Sequence, residues 1–236
     1  TTACLIVVHI NMRSIGILSN VKHSCRVYSG SSAAEERLPG WLRMGLKVLG
    51  WDSKEAVNIR QANALLQCAS SSAVDYERFR DQVGLQNDFR DNHSIQSLHM
   101  WMLNRRIGFN EDEKDAVALQ QELFDLYWED SIARIRKIEG VRELMVNKHL
   151  RTAQGYTFKM MKDMDKAIEA FGTEGKQDEG TLKLGQAIWM NVFRADESTL
   201  DENVERVISY TERNLELLTD MNDDDVLWGR VEWDKI

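Results

Sequence analysis

The side chains able to do chemistry are few, and their spacing argues against most reactions. Of five histidines, His9 and His23 fall in the first 34 residues, and His93, His99 and His149 lie in the body. None has a glutamate three residues before it, the spacing a di-iron helical bundle uses. His93 and His99 are six apart, on different faces of one helix. Glu129-Asp130, Asp196-Glu197, Asp201-Glu202 and Asp223–Asp225 are adjacent acids, and neighbours on a helix do not share a face. The triplet 223–225 follows Met221-Asn222 and reads as a helix start. It lacks the alternating ligands, glycine and distal glutamate of a calcium loop. There is no glycine-rich phosphate loop, no nucleophile elbow and no HExxH pair. Cys4, Cys25 and Cys68 are odd in number and scattered, which builds neither a disulfide framework nor a metal knuckle. The expectation is a protein that recognises rather than catalyses, with no metal and no cofactor.

Two stretches are candidates for recognition. In SLHMWMLNRR (97–106), His99, Trp101, Arg105 and Arg106 stand beside an apolar helix face. An aromatic and two arginines next to methionine suit a partner anchor. The same pattern also fits a core helix whose tryptophan packs and whose arginines complement the C-terminal dipole. The second stretch, 134–151, carries Arg134, Arg136, Lys137, Arg142, Lys148 and Arg151 against Glu139 and Glu143, a net +4. Arg134, Arg136 and Lys137 are expected to meet an anionic surface, whether RNA, lipid or an acidic partner. A solvated, internally paired helix face is the competing reading.

The elements that would position these residues follow from composition and periodicity. The chain has 236 residues, one proline and a net charge of −8. One proline suits long uninterrupted helices, and an acidic chain is a poor general partner for DNA. No acid precedes Glu35, and residues 1–34 hold Arg13, Lys22, Arg26 and six serines. That is the composition of a mitochondrial transit peptide. Residues 1–40 are therefore expected to be a disordered or cleaved leader, with Met12 as one alternative start. Residues 41–236 are expected to form a single all-α domain. No apolar run reaches membrane-spanning length.

Helical signals cover 41–50, then Ser53 to about Ser70, about Asp91–Ile107, and 111 to about 138 with Phe124, Tyr127, Ile135 and Ile138 in one stripe. They continue over about Glu143–Phe171, Thr181–Phe193, Asp201–Asp220 and a short turn at MNDDDV. TEGKQDEG (173–180) reads as a polar loop, and GRVEW (229–233) as a short extended tail. The sum is about seven or eight helices.

The ordered set of segments resembles the ubiquinol–cytochrome c chaperone family, the assembly factors of respiratory complex III. LGWDSKEAVNIRQANALLQCA (49–69) is similar to that family's opening helix, with its Ile59-Arg60 step. The family's most recognisable helix matches Leu98, His99, Trp101, Met102, Leu103 and Arg106. ELFDLYWEDSIARIR (122–136) follows with Phe124, Trp128 and Asp130, then LGQAIWMNVF (184–193) and LLTDMNDDDVLWGRVEW (217–233). Gly50-Trp51 departs from the family's more usual tyrosine, and Asp165-Lys166-Ala167 follows its pattern only loosely.

The resemblance implies a non-enzymatic assembly factor in the mitochondrial matrix, peripheral to the inner membrane. It implies cytochrome b as client, a small co-chaperone subunit as partner, and a position near the mitoribosome. The alternative is a structural accessory subunit of a respiratory complex or of the ATP synthase on the same helical fold. A chaperone of a membrane subunit should also expose an apolar groove.

Overall fold

The computed structural model describes residues 53–70, 73–109, 113–138, 140–171 and 177–236. The leader expected over 1–40 and the helix expected over 41–50 lie outside them. Among the described residues the chain is all-α, with α1 (Lys54–Cys68), α2 (Tyr76–Val83), α3 (Phe89–Ile107), α4 (Glu113–Arg136), α5 (Glu143–Phe171), α6 (Gln177–Asn191), α7 (Asp201–Asp220) and α8 (Asp223–Leu227).

Capping explains several boundaries. Ser53 accepts from the Ala56 amide at 3.2 Å and opens α1. Asp88 accepts from the Asp91 amide at 2.8 Å and opens α3. Asn222 does the same for α8 through the Asp224 amide, so the acid triplet 223–225 does start a helix. Such caps satisfy donors that a helix N-terminus otherwise leaves unpaired.

α3 is the centre. It packs on α4, α5 and α7, while α1 lies on α4 and α8, α2 on α7, and α6 between α5 and α7. The periodicity of Ile95, Leu98 and Met102 predicts one apolar face. In the fold, residues 93–103 of α3 are buried on every side. Ile95, Leu98, Met100, Trp101, Met102 and Leu103 have no solvent exposure, and such burial contributes roughly 1.5–3 kcal/mol per side chain.

Three details depart from the sequence expectation. α2 was not expected. It is short and mostly polar, and it buries only Tyr76, Phe79 and Val83, between an Asp75 cap and Gly84 in the left-handed region. Of the loop expected at 173–180, Gln177–Gly180 belong instead to α6, and 173–176 lie outside the described residues. Asp178 and Glu179 favour the positive end of that helix. Gly180 is there for space, since a Cβ would sit 2.8 Å from the Phe171 ring. The tail after Gly229 forms no strand among the described residues. It is held by side chains. The Trp233 indole donates to the Cys68 carbonyl at 2.7 Å, and the Asp234 amide donates to Asn214 at 2.9 Å.

Gly229 turns the chain onto α1 with φ +63°, and a Cβ there would lie 2.4 Å from the Ala64 carbonyl oxygen. Gly229→Ala is expected to destabilise by more than the ~1–2 kcal/mol of a left-handed residue alone. Gly155→Ala, mid-helix with nothing within 4 Å of the new methyl, should stabilise by about 0.5–1 kcal/mol. Urea unfolding of both variants checks the pair, and equal effects would contradict this packing.

Candidate functional site

The sequence-predicted residues divide by what holds them. His99 has no exposure. Its Nδ1–H donates to the Ile95 carbonyl at 2.7 Å, so Nε2 accepts from the Tyr210 hydroxyl at 2.6 Å. The Trp233 ring packs edge-on against it at 4.6 Å. Trp101 is equally buried, and its indole donates to Asp165 at 2.8 Å. Neither side chain reaches the surface. Both position the central helix.

Arg106 is a strut. Its guanidinium donates to the carbonyls of Leu218 at 2.7 Å and Met221 at 3.1 Å and pairs with Asp223. It thereby satisfies carbonyls that the end of α7 would leave open and ties α3 to α7 and α8. Arg105 is more exposed, 3.8 Å from Asp165 and 5.6 Å from the Phe109 ring.

Arg134, expected on an anionic surface, turns inward. It donates to Asp130 at 2.7 Å, Ser131 at 3.1 Å and His93 Nδ1 at 3.2 Å. That bond leaves the His93 proton on Nε2, facing Thr157 at 2.9 Å and the Tyr127 hydroxyl at 3.0 Å. Arg136 pairs with Glu143 at 2.7 Å, and Lys137 is exposed. These two lie near the C-terminal end of α4, roughly 35 Å along that helix from its start. They do not meet Arg105 and Arg106.

Arg105 and Arg106 open instead onto a groove of about 400 Å³ between the ends of α3 and α7 and the flank of α5. Half-buried Ile168 and Leu215 give it an apolar wall, backed by buried Met102 and Leu218, and Glu216 and Asp220 add acids to the lining. The aromatic at its lip is Phe109, 65% exposed, just past the end of α3. A second groove between α5 and α6, about 540 Å³, is lined largely by charged side chains, among them Lys159, Asp163, Lys166 and Lys183. The first groove suits an apolar segment with a polar margin. Sequence reasoning found its two arginines and Met102 but took the aromatic to be Trp101. The signal for Phe109 was an apolar residue placed directly after the Gly108 stop.

An ion cluster braces the other end of α3. Arg194 donates to Asp91 at 2.8 Å and to Asp88 at 2.6 Å, and Asp91, 2% exposed, also accepts from the Gln86 amide at 2.7 Å. Arg194 and Ala195 both hold positive φ, 59° and 55°. That costs on the order of 1–2 kcal/mol each, strain that the ion cluster helps to offset. Cys68 is an inert thiol, buried and pushed up to about 12 by desolvation. Among the described residues no three metal-ligating side chains converge.

Residues 81–233 match the family model described as ubiquinol-cytochrome C chaperone. The chain belongs to that family. The match takes in α3 through α8, hence every wall of the groove and both histidine networks. Among solved structures, the chaperone fold is similar to the crystal structure of the Cbp3 homolog from Brucella abortus, with a TM-score of 0.53 and 17% identity over 82% of this chain and 97% of that one. At that identity the likeness shows the fold alone. No curated protein sequence matches the chain.

Two predictions follow from the buried side chains. Trp101→Ala should cost about 3–5 kcal/mol, read as a large fall in the urea midpoint. A melting curve close to wild type would mean that Trp101 is not core. Burial holds His99 down to about 4 from an ordinary 6.5. Burial, with Arg134 and Arg90 beside it, holds His93 well below its ordinary range. Between about pH 6.5 and 4 the unfolded chain therefore binds more protons than the folded one. Stability should fall as the pH drops through that window, by up to about 1.4 kcal/mol per pH unit for each histidine. Urea unfolding at about pH 7 and 5.5 measures the slope. A flat profile would mean that the histidines protonate in place.

Proposed function

We propose that this chain is an assembly chaperone of respiratory complex III that holds newly made cytochrome b in the groove between α3, α5 and α7. It works with a small co-chaperone subunit, close to the mitoribosome, on the matrix side of the mitochondrial inner membrane. The observation that carries this reading is the open apolar groove, with an exposed phenylalanine at its lip, in a member of a chaperone family. A membrane subunit awaiting assembly has apolar segments to shield, and an apolar wall with charged ends can shield one while leaving its flanks in water. Aromatic side chains and arginine are enriched in such contacts. Among the described residues no helix is long and apolar enough to cross a membrane, which suits a helper that approaches from one side.

Phe109→Ser tests the groove. The side chain is mostly exposed, so the melting temperature should move by only about 2 °C. Recovery of newly made cytochrome b with the protein should drop at least about fivefold. Unchanged recovery would take the groove out of this function. Equal stoichiometry with a large mature complex would make the chain an accessory subunit instead.

A further inference from the structure

The corner where α4 turns into α5 carries a surface that the client groove does not use. Gly140 takes φ +81° in the turn. Leu144, in the first turn of α5, is 94% exposed, more than any other large apolar side chain among the described residues. Ile138, Val141 and Met145 beside it are half-buried. Lys137, Arg142, Lys148 and Arg151 surround it, all exposed. Leu144, Lys148 and Arg151 are spaced four and three apart, so they share one face of α5. The acid next to Leu144, Glu143, is taken by Arg136 at 2.7 Å. With Glu139 counted, residues 136–151 carry a net +3 in a chain of net −8.

The corner is a protruding apolar tip ringed by cations, and its residues line neither groove. Interfacial membrane sites have this chemistry, with aliphatic groups entering the headgroup boundary and Lys or Arg meeting lipid phosphates. Single-stranded RNA would call for aromatic stacking platforms, and His149 is the only aromatic ring between residues 137 and 152. We infer that the α4–α5 corner docks on an anionic lipid bilayer, with Leu144 entering the headgroup boundary and Lys137, Arg142, Lys148 and Arg151 meeting the lipid phosphates. This surface stands on the corner's own chemistry, apart from the client groove, so either can fail while the other holds.

The test is vesicle flotation of the full chain. Vesicles of phosphatidylcholine alone are compared with vesicles containing about a third phosphatidylglycerol, at low salt and at about 0.15 M salt. Binding is expected on the anionic vesicles and should weaken with salt. Leu144→Ser should reduce the bound fraction at least ~fivefold, and Lys148→Glu with Arg151→Glu at least ~tenfold. Melting curves should be unchanged, because these side chains are exposed. Absence of binding to anionic vesicles, or binding undiminished in both variants, would overturn the inference. So would a single-stranded RNA probe that binds the wild type, is lost in the charge-reversed variant and is indifferent to Leu144→Ser, with vesicles ignored.

Discussion

The structure depends on one constraint: its central helix is surrounded, yet it is rich in polar groups. A buried polar atom without a partner costs about 1–3 kcal/mol, so each hydroxyl and imidazole of α3 dictates what must stand opposite. Ser97 donates to the His93 carbonyl at 2.7 Å and also lies 2.7 Å from the Tyr127 hydroxyl. His93 requires Thr157 from α5, and His99 requires Tyr210 from α7. Trp101 reaches Asp165 on α5, and Arg106 reaches the end of α7. Apolar burial supplies most of the stability, but a helix with so many fixed partners has one rotation and one depth at which all are met. The polar set therefore fixes the register of α4, α5 and α7 around α3, and with it the walls of the groove.

Seen this way, the residues that carry the family likeness have a common task. Leu98, His99, Trp101, Met102 and Leu103 are buried, and Arg106 is spent on the carbonyls of α7. They specify the scaffold. Met102 and Arg106 also back the proposed client groove, but the most exposed points of the surfaces proposed for client and lipid are other residues, Phe109 and Leu144. Those are apolar side chains left largely in water.

That division also explains what could be read from the sequence. The long helices were legible because their apolar stripes run for several turns; α7 matches its expected span of Asp201–Asp220. α2 was missed because eight residues with three buried positions barely complete two turns. The tail was misread because alternation in GRVEW looks like a strand, whereas Trp233 is anchored on α1 and the following Asp234 on α7. His99 and Trp101 read as either anchor or core, since sequence spacing gives a face but not what covers it. Arg134 looked like surface charge because a buried histidine partner 41 positions away leaves no mark on local periodicity.

The separations of these contacts bear on how the molecule comes to be made. Tyr210 is 111 positions beyond His99, and the Leu218 carbonyl is 112 beyond Arg106. While a ribosome is still adding those residues, α3 has already emerged with its imidazole, its indole and its apolar sides uncovered. Contacts this distant form slowly, because loop closure precedes their reward. A member of a chaperone family thus passes through much of its own synthesis exposing the kind of surface that it is proposed to shield in another chain.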